Sequence, residues 1–149
     1  AVDPDSPEDK GRQSYLSQMK KLWEDCTGCC WFACWQLPDA LVFAPQAVSE
    51  ATGFQVNRES ALLLGERMVH RQRLISLYLG YKPESDFFMS DRVSGAVPSG
   101  PAKGRALAPH FAGMRKEYYD CLGWDTETGA PSDEALEKVG LSGYRVGRN

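Results

Sequence analysis

Little in this chain marks it for nucleic acid or for a membrane. Its 149 residues hold 17 Lys and Arg against 20 Asp and Glu, a net charge of −3. No concentrated basic face is available to neutralise a phosphate backbone, so nucleic acid is not an expected partner. No apolar run approaches the roughly 18 to 20 residues of a membrane span, and nothing at the start resembles a signal peptide. A cytoplasmic location is the default expectation. Histidine is scarce: His70 and His110 are the only two, they fall on different expected helices, and no nucleophile pattern accompanies them, which argues against a hydrolytic triad. Internal repeats and alternating strand patterns are absent. So is an initiator Met, and Ala1 is expected to follow a cut, a processing event or an engineered boundary, with the chain a piece of something longer.

What is present fits a folded unit. A hydrophobic content of 42% with 11% aromatics is that of a globular segment rather than a disordered one, and the length suits one domain. The five cysteines are an odd number, and four of them, Cys26, Cys29, Cys30 and Cys34, crowd into one short segment. Secreted scaffolds spread cysteines to staple distant loops. Crowding fits metal ligation or a reducing compartment better, and Cys121, alone, reads as a small buried side chain.

The helical signals are strong. Ser6 and Pro7 followed by Glu8 and Asp9 predict a helix start, and Tyr15, Leu16, Met19 and Leu22-Trp23 recur at spacings of three and four. A helix through Ala44 to Ala51 is expected to stop at Gly53, and Asn57 to cap the longest element, Arg58 to Leu79, closed by Gly80. That element has apolar ends (Ala61 to Leu64, Leu74 to Leu79) and a polar middle, and is read as central and packed. Glu66 and Arg73 share one side, so a common structural network is expected if the helix is central. Residues 81–106 read as a Gly/Pro/Ser-rich loop; its Gly100 to Gly104 segment lacks the spacing of a phosphate loop. Pro109 opens a helix striped by Phe111, Met114, Tyr118, Cys121 and Leu122, and Pro131-Ser132 caps a last one, Asp133 to Val139. The fold class is all-α: about five to six helices in a single irregular domain over residues 1–149.

The chemistry concentrates in Asp25-Cys26-Thr27-Gly28-Cys29-Cys30, where a polar amphipathic helix gives way to an apolar run. Within one turn, a carboxylate can accept from ring N–H groups, a glycine lets backbone come close, and a terminal thiolate supplies a soft ligand. Two other readings stand beside this one. Cys26, Cys29, Cys30 and Cys34 together make a self-contained zinc or iron–sulfur module, although one segment has difficulty placing four sulfurs around one metal. In the other, Cys26 and Cys34 at least are packed thiols beside Trp31 and Trp35, and the chain is a helical binding or scaffold domain.

Several segments together resemble the tungsten- or molybdenum-dependent aldehyde ferredoxin oxidoreductases, in their C-terminal helical region. Asp25 to Cys30 looks like the family's Asp-x-x-Gly-Leu-Cys motif, with Cys29 in place of Leu. Ala51-Thr52-Gly53, Gly65-Glu66-Arg67 with Arg73-Leu74, Gly100-Pro101-Ala102-Lys103-Gly104, Glu117-Tyr118-Tyr119, Leu122-Gly123-Trp124-Asp125 and Gly129-Ala130-Pro131-Ser132 follow in order, as do Leu136 and Val139-Gly140-Leu141. The resemblance implies a bis-pterin tungsten or molybdenum centre that oxidises an aldehyde to a carboxylic acid, with electrons leaving through a [4Fe–4S] cluster to ferredoxin. It implies that Asp25 and Gly28 belong to the pterin site, that Cys29 adds backbone contacts and that Cys30 is the fourth cluster ligand. The other cluster cysteines, the second pterin motif and the N-terminal pterin-binding domain have no counterpart here. The remaining domains of the same enzyme are therefore implied partners, and the catalytic residues are expected upstream. A face around residues 25 to 35, Trp31 and Trp35 included, is expected to stay exposed for docking them.

Overall fold

The computed structural model describes residues 6–30, 32 and 40–144; Trp31, Cys34, Trp35 and Pro38 lie outside them. Among the described residues there are six α-helices: α1 (Lys10–Thr27), α2 (Ala40–Thr52), α3 (Arg58–Tyr78), α4 (Asp91–Ser94), α5 (Ala108–Leu122) and α6 (Asp133–Lys138). A 3₁₀ turn, Pro83–Phe87, and a single isolated bridge between Trp124 and Pro131 complete the regular structure. The all-α expectation holds.

Helix α1 is the hub, packed against both α3 and α5, while α2 lies on α3 and α1. Glycines make the crossings close. A Cβ on Gly65 of α3 would overlap the Met19 carbonyl of α1, and one on Gly11 would overlap the Met114 carbonyl of α5. Met19, Val69, Tyr119, Leu122 and Trp124 fill the space between these helices. Trp23, Leu41 and Ala61 seal the junction with α2, and Leu136, Val139 and Leu141 pack beneath Leu74. Each large side chain buried this way contributes about 1.5–3 kcal/mol.

Caps explain most boundaries. Asn57 and Ser60 exchange hydrogen bonds in a capping box at the start of α3, and Ser132 accepts from Ala135 N–H at 3.1 Å to open α6. The start of α1 differs from the sequence expectation: it begins at Lys10 rather than Pro7, after Asp9 in the left-handed region at φ 58°. Its N-terminus borrows a cap from another helix, the Glu117 carboxylate accepting from Gly11 N–H at 2.9 Å. Helix α2 begins four residues before the expected Ala44 and carries Pro45 within it. The 81–106 stretch is less irregular than expected, since it includes the 3₁₀ turn and α4.

Helix α3 inverts its apparent pattern. Its buried face is Ala61, Gly65, Glu66, Val69, His70 and Arg73, whereas Leu63, Leu64, Ile75 and Leu79 are exposed. The expected packing of its apolar ends is thus only partial. The buried charges are met by long-range partners. Glu66 accepts from Tyr15 Oη at 3.0 Å and from Lys138 Nζ at 2.7 and 2.9 Å. Arg73 donates through Nε to the Gly129 carbonyl at 2.8 Å and through Nη2 to Asp86 at 2.7 Å, and its guanidinium lies 4.9 Å from the Trp124 ring centre. Glu66 and Arg73 share no direct bond; His70 and Trp124 stand between them. Trp124 Nε1 can only donate, so His70 Nδ1 accepts from it at 3.1 Å and the ring proton sits on Nε2. That Nε2 lies 3.9 Å from Glu66 Oε1, too far for a hydrogen bond.

This spine sets the ionisation of its members. Burial would raise the Glu66 carboxyl, but the His70 ring, Lys138 and Tyr15 outweigh it and hold it below the ordinary range. Asp86 behaves alike: burial opposes its charge, and Tyr119, Arg73 and Tyr81 together keep it low. Burial first, then the adjacent Asp86, pushes Tyr119 up to about 12. Asp125 shapes the turn that delivers Gly129, its carboxylate accepting from Glu127 N–H and from both Thr128 donors.

Candidate functional site

The end of α1 sets the geometry of the Asp25 to Cys30 segment. Gly28 adopts φ 72° and ends the helix; Gly28 N–H returns to the Asp25 carbonyl at 3.2 Å and Cys29 N–H to the Glu24 carbonyl at 3.1 Å. These two bonds form a Schellman motif, which needs a residue free of a Cβ at its left-handed position. Thr27 Oγ1 donates to the same Glu24 carbonyl at 2.8 Å. The turn is therefore saturated on its N–H side. Cys29 has its N–H committed, and its carbonyl is the backbone group it can offer a ligand.

Side chains at this end face outward. Asp25 is exposed and bonded through Oδ1 to Lys21, one turn earlier. Cys26 and Cys30 are exposed and Cys29 is half-buried. The packed-thiol expectation for Cys26 is thereby corrected: it lies about two helical turns beyond Met19, where α3 crosses, and is exposed. Cys34 lies outside the described residues. Cys121, expected to be buried, is half-buried, and burial raises its thiol pKa. Around the end of α1, nothing lies within 4 Å of where a Gly28 Cβ would project, and Phe32 is 69% exposed. One buried donor here, Trp23 Nε1, has no acceptor among the described residues.

These features bear on what the segment can hold. An exposed carboxylate next to open space beside a glycine suits a ring bearing N–H donors, and an exposed thiol suits a soft metal. Among the described residues, no group of three or more His, Cys, Asp or Glu side chains stands within reach of one metal ion. The exposed Cys30 thiol is accessible as a ligand. The self-contained module needs Cys34, which is outside the description.

Other expected features resolve as structure. The Gly100 to Gly104 segment is a turn closed by Gly104 N–H to the Val97 carbonyl at 2.9 Å and Lys103 N–H to the Gly100 carbonyl at 3.1 Å. His70 and His110 sit on α3 and α5 and form no joint site. Sequence reasoning missed the His70–Trp124 pair and the role of Lys138. The regular four-residue spacing of Ala61, Gly65 and Val69 was a signal for a close helix crossing, and hence for burial of Glu66 beside it.

Comparison with known proteins places the chain in a family. The family described as "Aldehyde ferredoxin oxidoreductase, domains 2 & 3" matches residues 1–141. A tungsten-containing aldehyde ferredoxin oxidoreductase of Pyrococcus furiosus is 30% identical over 96% of this chain and 23% of its own length. Its counterpart in Thermococcus kodakarensis is 28% identical over the same shares. An aliphatic sulfonate oxidoreductase, WOR-like subunit, of Pyrococcus furiosus is 35% identical over 60% of this chain and 15% of its own. The chain thus spans less than a quarter of the length of these relatives. No helix among the described residues is long and apolar enough to cross a membrane. The chain belongs to the aldehyde ferredoxin oxidoreductase family, in the part covered by its domains 2 and 3.

Proposed function

We propose that this chain is the C-terminal domain of an aldehyde ferredoxin oxidoreductase-type enzyme and forms one wall of its metallopterin site. When bound, the tungsten or molybdenum bis-pterin would supply the two-electron chemistry by which an aldehyde and water become a carboxylic acid and two protons, and a [4Fe–4S] cluster would carry the electrons to ferredoxin. Asp25, with one oxygen on Lys21, would offer the other to pterin N–H donors. Gly28 would leave space for the ring, the Cys29 carbonyl would be its backbone acceptor, and Cys30 would be the fourth cluster ligand. The remaining domains of the enzyme supply the other three cysteines, the second pterin contact and the residues that touch substrate.

One observation carries this reading. The helix end places an exposed carboxylate and an exposed thiol five residues apart around a left-handed glycine, in a chain whose family is established. The test is metal analysis with a visible spectrum, on this chain and on the longest native polypeptide containing it, both purified anaerobically. Iron with tungsten or molybdenum in the long form and none in the short supports the shared site. Stoichiometric iron or zinc in the short form would overturn it in favour of a self-contained module, and no metal in either would leave a scaffold domain.

A further inference from the structure

A second concave site lies at the opposite end of α1. The N-terminal turn of α1 and the part of α5 that crosses it line a cleft of about 440 Å³, within the size range of small-molecule sites. Phe111, Met114, Arg115 and Tyr118 of α5 line it; their spacings of three and four place them on one helix face. Trp124 and Ser14 add to the wall. Gly11 to Asp25 spans 14 residues of helix, so the cleft is about 20 Å from the proposed metallopterin wall and is argued independently of it.

Charge in the cleft is unbalanced. Asp86 is present, but its carboxylate is already taken by Arg73 at 2.7 Å, by Tyr81 at 2.8 Å and by Tyr119. Among the described residues Arg115 has no such partner. Its guanidinium lies over the Phe87 ring, 3.4 Å from the ring centre, and 5.4 Å from that of Tyr119, while its Nη1 is buried with no hydrogen-bond acceptor among the described residues. A buried donor left unmet is costly, so this cation is held in place by aromatic packing and lacks an anion among the described residues.

We infer that this cleft binds a small monocarboxylate with an aromatic or branched apolar body. The carboxylate meets the Arg115 guanidinium, the partner best matched to its two oxygens, and the body packs on Phe111, Met114, Tyr118 and Trp124. An anion without an apolar body leaves those walls wet, and a neutral body leaves Arg115 unmet.

The probe is phenylacetate, compared with the nearly isosteric neutral phenylacetamide, titrated into the 149-residue chain and followed by ¹H–¹⁵N correlation spectra. Saturable shifts are expected at the Trp124 indole N–H and at the amides of Phe111 and Tyr118, with the acid binding about fivefold or more tightly than the amide. Arg115→Met should bring acid and amide to equal affinity, and Arg115→Lys should keep part of the preference; the amide's affinity serves as the check that the cleft itself survives. Raised salt should weaken the acid alone in the unaltered chain, which keeps the test decisive if Arg115→Met does not fold. Equal binding of acid and amide, shifts confined to other surfaces, or no saturable shift would overturn the inference.

Discussion

Replacing Arg73 with Met removes the centre of the polar spine while keeping the volume of its stem. Breaking a buried ion pair by removing one partner costs about 3–5 kcal/mol. Asp86 retains Tyr81 and Tyr119 and is itself part-exposed, which places this term near the lower end, about 3 kcal/mol. The Gly129 carbonyl, which accepts from Arg73 Nε at 2.8 Å, loses its donor for about 1 kcal/mol more. The sum, about 4 kcal/mol, is a large share of the ~5–15 kcal/mol that stabilises a typical domain. At about 2–4 °C per kcal/mol for a domain of this size, Tm should fall by roughly 8–16 °C. Urea and thermal unfolding followed by far-UV circular dichroism measure it. Arg73→Lys should recover about half, because an ammonium can hold Asp86 but not Gly129 as well. A loss below about 1 kcal/mol for Arg73→Met would refute the claim that this network holds the Trp124–Pro131 turn onto α3.

Gly65→Ala should destabilise by about 1–3 kcal/mol, since its Cβ meets the Met19 carbonyl, whereas Gly113→Ala, in open space on α5, should gain about 0.5–1 kcal/mol; equal effects in urea melts would contradict the crossing geometry. Glu117→Ala should cost about 1 kcal/mol and raise amide exchange at Gly11, whose N–H it caps; unchanged exchange there would remove Glu117 as the cap. Glu66 and Asp86 are depressed from ordinary values of 4.5 and 3.8, so their contribution is complete above those values and lost as pH falls below them. Tyr118 and Tyr119 are raised from 10.0 to about 12, so stability should fall between pH 10 and about 12 as the unfolded chain ionises first. A melt whose midpoint is flat through both windows would contradict the burial of these groups.

Local signals carried the outline of the fold. Asn57, Gly53, Gly80, Gly123 and Gly140 mark helix ends because capping and left-handed stops depend only on neighbouring residues, and all four glycines have positive φ. The start of α1 was not legible, because its cap is Glu117, 106 residues away. The buried face of α3 was misread for the same reason. Hydropathy places Leu63, Leu64 and Ile75 inside, but the tight crossing at Gly65 faces the polar side inward, where Tyr15, Lys138, Asp86 and Gly129 satisfy it from distant parts of the chain. At the candidate site, the residues Asp25, Gly28, Cys29 and Cys30 were legible as a pattern. What the pattern lacked was direction: the Schellman turn consumes the Cys29 N–H, and Cys26 points outward rather than into the core.

The central claim is that Cys30 is one ligand of a cluster completed by other domains. The most direct measurement is iron content and the electron paramagnetic resonance of the reduced cluster, in the longest native polypeptide carrying Cys30→Ser, with Cys26→Ser as the companion. The account predicts that Cys30→Ser loses or alters the cluster signal with the fold intact by circular dichroism, while Cys26→Ser keeps it. An unchanged four-iron cluster in Cys30→Ser would contradict the assignment.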